Sequence, residues 1–180
     1  MAGTKRSYVD IKELYYGDVF TTVAVPLTGL TGAEIFAHTW KAVENIHDNT
    51  YKYNEEANTV TPRKNQLTGN PYRADIVKGN KSITFTIGEY DYATKAELQG
   101  GTAADKQYQA PSVPSIIYKA IKAVTDDGVV IVFPKALISA NGANTDGAVG
   151  LAVVAQAMDS GVTGLASEIW IDATEVKAAV

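Results

Sequence analysis

The side chains that could do chemistry are few, and their spacing does not suit it. His38 and His47 are the only histidines, nine residues apart. They do not form the i, i+4 pair that sets two imidazoles on one helix face for a metal. His47 beside Asp48 could be an oriented base, but the chain has no cysteine and no G-x-S-x-G turn to supply a nucleophile. Asp126-Asp127-Gly128 and the run with Asn141, Asn144 and Asp146-Gly147 are oxygen-rich. Neither has the spacing or the terminal bidentate glutamate of a calcium loop, and turns use the same residues for backbone reasons. No glycine-rich phosphate cradle is encoded. Asn80-Lys81-Ser82 matches a glycosylation sequon with no secretory signal ahead of it. Trp40 and Trp170 could stack on a sugar, although core or interface packing is the commoner use of tryptophan. The expectation is no enzyme, no metal and no cofactor.

Composition bounds the rest. A chain of 180 residues with 46% hydrophobic and 20% charged residues is expected to form one domain over residues 1–180, with a core that needs no staples. The absence of cysteine excludes disulfides, thiolate catalysis and Cys-based zinc sites. The basic start lacks the apolar region of a signal peptide. The longest strongly apolar run, residues 129–133, is too short to span a bilayer as a helix. Synthesis in a cytoplasm and no membrane anchor are therefore expected. The net charge is −4 and no basic run is present, so the electrostatic footprint of a nucleic-acid binder is missing. Only Arg63, Lys64 and Arg73 could gather into a local patch.

The elements are mostly strands. Residues 82–87 alternate Ser, Ile, Thr, Phe, Thr, Ile, the period of a strand with one buried face. After Gly88, Asp91 can cap a short helix over residues 91–98, which Gly100-Gly101 ends. Residues 9–14 read as a short strand, 15–18 as a turn, and 19–25 as a strand ending at Pro26. Residues 33–46 fit either a helix face or two short strands, with aromatic and β-branched content tilting towards β. Residues 103–114 look like a linker. Apolar residues between 113 and 124 fall at helical spacing, yet the turn signal at 125–128 and the run VVIVFP after it suggest a hairpin arm. The strand from 129 could continue over 136–140 after a bulge at Pro134. Residues 141–147 read as a loop, 150–158 and 168–172 as strands, and 173–180 as a tail with helical potential. Residues 1–7 read as a flexible start.

One long polar stretch stands apart. Residues 48–77 carry five asparagines and two prolines, along with Tyr51, Tyr53, Val60, Leu67 and Tyr72. A loop of this length is uncommon in a compact domain and is usually functional or disordered. The tyrosines argue against disorder, because each supplies apolar area and a hydroxyl. Either a hairpin arm that orders against a partner or an excursion packed on its own domain fits.

Residues 47–102, NTYKYNEEANTVTPRKNQLTGNPYRADIVKGNKSITFTIGEYDYATKAELQGGT after His47-Asp48, resemble the tail tube proteins of tailed bacteriophages. So do residues 129–158, VVIVFPKALISANGANTDGAVGLAVVAQAM, where a strand reaches Phe-Pro and a loop leads to a Gly-Leu strand. The likeness covers about half of the chain and extends in fold to the tubes of contractile injection systems. It implies a β-sandwich or partial barrel with one flanking helix, residues 91–98. It also implies assembly into hexameric rings whose strands join around a channel and stack into a tube.

Under that resemblance the arm, residues 49–73, would bridge neighbouring subunits and rings. Its candidate contacts are Tyr51, Tyr53, Arg63, Lys64, Gln66, Leu67, Tyr72 and Arg73. Residues 116–124 would be a strand. The partners would be further copies of the chain and other tail proteins: a tape measure, a terminator, a baseplate or tip, and in contractile tails a sheath. Genome DNA would pass through during ejection without specific binding, and the protein would reside in the virion tail. The alternatives are a capsid decoration or baseplate component, and a carbohydrate-binding β-sandwich that uses Trp40 or Trp170 with nearby tyrosines.

Overall fold

The computed structural model describes residues 10–24 and 29–178. The expectations for residues 1–9, 25–28 and 179–180 lie outside them. The molecule is organised on one strand, β10 (Val129–Thr145), 17 residues long. Its first five residues are all buried, which is why they form an unbroken apolar run. Pro134 offers no backbone N–H to a ladder, and the register slips there, between Phe133 and Ala136. The carbonyls freed at this bulge are used. Pro134 O accepts from Phe20 N at 3.1 Å, and Lys135 O accepts from Met158 N at 2.9 Å.

The other strands form an antiparallel sheet around β10. On one side lie β9 (Ile117–Thr125), β1 (Ile11–Gly17) and β2 (Trp40–Ala42); on the other lie β11 (Ala148–Ala157), β6 (Lys81–Ile87) and β3 (Lys52–Glu55). A short β12 (Ile169–Asp172) pairs with the first residues of β10. The eight strands curl into a half-barrel. Residues 43–47 strap across its open side: Val43 N donates to Leu14 O, His47 N donates to Thr86 O, and Ile46 bridges to Ile87.

Inside the curl, Leu14, Tyr16, Phe85, Ile121, Phe133 and Leu151 form the main core. Helix α2 (Tyr92–Gln99) closes it with Leu98, which is fully buried. The ends of α2 follow local chemistry: Thr94 N donates to Asp91 Oδ1 at 2.6 Å, and Gly100 adopts φ 86°, a value that favours glycine. Outside the curl, a second cluster of Phe20, Leu30, Ile35, Val130, Val132 and Leu165 covers the first half of β10. Helix α1 (Gly32–Ala37) belongs to that cover. It starts at a capping box, with Thr31 N donating to Glu34 Oε2 at 2.7 Å and Glu34 N donating to Thr31 Oγ1 at 3.3 Å.

The fold class is as expected: mainly β, a curled sheet with a flanking helix. Several local expectations are corrected. Residues 19–24 are not a strand; Phe20 and Val23 pack individually against the outer cluster, and the backbone joins no ladder. Residues 15–17 are strand rather than turn, because they pair with both β9 and β2. Residues 33–46 contain a helix and a strand, and the Thr31–Glu34 capping box was the missed signal. Residues 103–114 hold a small hairpin, β7 (Thr102–Ala104) with β8 (Gln107–Gln109). Residues 141–147 are mostly ladder; positive φ is confined to Asp146 and Gly147. The tail contributes one 3-10 turn, Ala173–Glu175.

The helical spacing in residues 113–124 also has a physical origin. β9 is buried on both faces, with Ile121 and Ala123 inside the curl and Ala120 and Val124 under the outer cluster. A strand covered on both faces loses its alternation.

The hydrogen bonds that Thr94 donates hold the Asp91 carboxyl below its ordinary value. Its stabilising contribution is therefore present above the unfolded-state pKa and is lost as pH falls through the folded one. Asp91→Ala is expected to cost about 1 kcal/mol at neutral pH. In urea titrations the gap to the parent should close as the pH is lowered through the carboxylate range.

Candidate assembly surfaces

The polar stretch folds as an arm. β4 (Thr59–Lys64) and β5 (Pro71–Val77) form a two-stranded sheet separate from the half-barrel. At its tip Asn65 N donates to Asn70 O and Leu67 N donates to Asn65 Oδ1, both at 2.8 Å. At its base Glu56 N donates to Asn80 O at 2.9 Å, and Gly79 N donates to Asn58 Oδ1 at 3.0 Å. A Cβ on Gly79 would collide with the Glu56 carbonyl, so the two legs meet there through glycine.

The register makes this arm amphipathic. Val60 pairs with Ile76 and Pro62 with Ala74, and Tyr72 shares their parity along β5. Thr61 pairs with Asp75 and Arg63 with Arg73 on the opposite face, where Arg63 Nε donates to Asp75 Oδ2 at 2.7 Å. The apolar face is uncovered: Val60 is 56% exposed, Ile76 66%, Tyr72 71%, and Leu67 at the tip 95%. An isolated hairpin is marginal in water, and one with a bare apolar face has that face to bury.

The eight anticipated arm residues separate into two groups. Arg63, Lys64, Gln66, Leu67, Tyr72 and Arg73 lie on the projecting hairpin, all exposed. Tyr51 and Tyr53 belong to the body. The Tyr51 hydroxyl is buried without a hydrogen-bond partner among the described residues, and burial pushes it up to about 12. Tyr53 lies on β3 in a polar hub that the sequence did not reveal.

The hub is centred on Glu168, whose side chain is 8% exposed. Lys81 Nζ donates to it, Tyr53 Oη donates at 2.7 Å, and Trp170 Nε1 donates at 2.5 Å. Lys81 also meets Glu55 at 3.0 Å. Three segments distant in sequence, β3, the start of β6 and the entry to β12, are thus joined below the base of the arm. Burial raises the Glu168 carboxyl, but hydrogen bonds from Lys81, Tyr53 and Trp170 outweigh it and hold the group below its ordinary value. The hydrogen bond to Glu168 and the one to Glu55 likewise raise Lys81, against desolvation.

A second surface lies on the outer face of the sheet, beyond the cover of the outer cluster. Registers align Ser139, Val154, Thr84 and Lys52 in one row across β10, β11, β6 and β3. A neighbouring row is Leu137, Gln156, Ser82 and Asn54, and a third is Asn141, Ala152 and Thr86. None of these residues is buried. Lys52 is the single charge among them. The same four strands carry two unpaired edges among the described residues. β9 leaves β10 after Ile138, so residues 139–145 pair only with β11, and β3 pairs only with β6.

The histidines are separate and engaged. His38 stacks on Phe20 at 4.1 Å, with Nε2 2.9 Å from Asp18 O; His47 Nε2 is 3.6 Å from Asp146 Oδ2. No group of three potential metal ligands occurs among the described residues, and no helix among them is long and apolar enough to cross a membrane. Trp40 Nε1 donates to Ile35 O at 2.8 Å. Trp170 packs edge-on against Tyr53 at 5.5 Å and borders, with Tyr51, Lys52 and Asp10, a hollow of about 320 Å³. No protein-family model matches the chain, and comparison with curated proteins finds no significant relative.

Glu168→Ala is expected to destabilise by about 1–3 kcal/mol, because it removes the shared acceptor of the half-buried Tyr53 hydroxyl and Lys81 ammonium, the latter keeping Glu55. Glu168 is depressed, so its contribution exists above the unfolded-state pKa and is lost as pH falls through the folded one. Urea titrations at neutral and acid pH should show a large gap to the parent at neutral pH and a small one in acid.

Proposed function

We propose that this chain is a structural protein that polymerises, as stacked hexameric rings, into the tail tube of a bacteriophage, the channel through which DNA leaves the particle. The observation that carries the reading is the arm: a projecting hairpin with one apolar face that none of the described residues covers. A further copy of the chain is the partner that this role requires. A heterologous contact between copies either closes into a ring or propagates as a filament, and stacked rings use both outcomes. The unpaired edges at β3 and residues 139–145 support the same role, since exposed sheet edges are a hazard unless neighbours occupy them. Other tail proteins would terminate the stack at each end, and the virion tail would be its location.

A second reading has one specific observation in its favour. Trp170, Tyr51 and Tyr53 border one hollow, which suits a sugar ring stacking on aromatic faces. Under that reading the protein is monomeric and binds glycans in calorimetric titration.

The first reading is tested on the arm. The parent is expected to form rings or hollow filaments of uniform width in negative-stain electron microscopy. Val60→Asp combined with Ile76→Asp should abolish filaments while changing monomer stability by no more than about 0.5 kcal/mol, as expected for exposed sites. Deletion of residues 66–72 should act the same way. Normal tubes from either variant would remove the arm from the assembly.

A further inference from the structure

We infer that the arm of one copy seats in an acidic groove on the body of another, between residues 41–45 and residues 87–94, with Lys64 against Glu44 and Glu89. The inference rests on the tube reading above and names the surface that receives the arm. It begins with an uneven distribution of charge. Residues 59–77 carry Arg63, Lys64 and Arg73 against Asp75 alone, a net +2, whereas the whole chain is −4. The remainder is therefore −6, so the arm is a basic element on an acidic body. Asp75 answers both guanidiniums, Arg63 at 2.7 Å and Arg73 at 3.5 Å. Lys64 is exposed and joins none of the ion pairs among the described residues. Along β4 it shares the parity of Val60 and Pro62. The bare apolar face of the arm thus carries one unpaired cation.

A partner surface must offer apolar area beside unpaired carboxylates, and a groove of about 650 Å³ on the body has both. One wall is residues 41–45; the other is the segment from the end of β6 into the first turn of α2. Gly88 N donates to Asn45 O at 2.8 Å, which holds the two walls together. The apolar lining is Ala42, Val43, Ile87 and Tyr90, of which only Ile87 is buried. The carboxylates are Glu44, Glu89 and Asp91, all exposed. Asp91 is committed to capping α2. Glu89 is met by the neutral Asn45 amide at 3.5 Å, and Glu44 joins none of the ion pairs among the described residues. The cations nearby do not cancel them. Lys41 is answered by Glu97 at 3.2 Å, and Lys95 lies over the rings of Tyr90 and Tyr108 at 5.9 and 4.6 Å. Three carboxylates against Lys95 leave the groove at −2, opposite in sign to the arm.

The occupant comes from another copy, because in its own copy the arm keeps Val60, Ile76 and Tyr72 between 56% and 71% exposed. Arm and groove are different surfaces, and a contact between different surfaces repeats from copy to copy. Opposite charges speed the encounter and fix its register, while burial of the apolar face supplies attraction once the register is found. A second acidic hollow lies on the other side of residues 43–47, with Asp10, Glu13 and Asp48 along it. Its accessible lining is mainly polar, so it offers the apolar face less.

The test reverses the charges and then restores them. Lys64→Glu should raise the critical concentration for tubes, measured by sedimentation, about tenfold or more. The swapped chain, Lys64→Glu with Glu44→Lys and Glu89→Lys, should return to within about threefold of the parent. The same arm change with Asp48→Lys, on the other side of residues 43–47, should not recover. The place of contact is read by crosslinking, which the absence of native cysteine permits. Tubes of Lys64→Cys with Glu44→Cys, treated with a short bis-maleimide, should give a ladder of multimers on denaturing gels. Tubes of Lys64→Cys with Asp48→Cys should give none, and if either chain fails to form tubes the charge swap decides. An unchanged critical concentration for Lys64→Glu, a swap that does not recover, or a ladder from the Asp48→Cys chain alone overturns the inference and leaves the tube reading standing. Absence of tubes from the parent at every concentration removes both.

Discussion

The bulge at Pro134-Lys135 is the constraint on which the rest depends. A strand places alternate side chains on opposite faces, so one inserted residue exchanges the faces for everything after it. Phe133, Ala136 and Ile138 all point into the main core, which the insertion alone permits. Without it, Leu137 and Ser139 would face the core and Ile138 would face water. The same insertion lets β10 change neighbours. Before the bulge it pairs with β9 and β12; beyond Ile138 its only partner among the described residues is β11.

That change divides the outer face of the sheet. Over the first half of β10, Val130 and Val132 are roofed by Phe20, Leu30, Ile35 and Leu165. Over the second half none of the described residues forms such a roof, and Leu137, Ser139 and Asn141 are left unburied. The two halves thus differ in cover and in chemistry although they share one strand. An antiparallel sheet can leave one face to solvent, and here that face begins where the outer cluster ends.

The arm depends on a different interaction. A hairpin with Val60, Ile76 and Tyr72 exposed gains little from its own contacts, so its direction is set at the base. There the Glu168 hub joins β3, β6 and the approach to β12, and Gly79 lets the legs meet. The result is a rigid body carrying a projecting element whose apolar face is unspent.

Much of this was legible in the sequence. The alternation in residues 82–87, the cap at Asp91 and the glycine at 100 determined a strand, a helix and its end, because each is a local matter of side-chain period or terminal hydrogen bonding. The polar composition of residues 48–77, with its scattered tyrosines and β-branched residues, announced an unusual excursion. Tertiary structure decided what that excursion is made of: six of the eight anticipated residues project, while Tyr51 and Tyr53 turn back into the body. It also decided that residues 117–125 are strand despite their helical spacing, since burial on both faces erases alternation. The Glu168 hub, the two unpaired edges and the bare face could not be read from the chain. Each is built from segments far apart in sequence, and neither register nor burial exists until those segments meet.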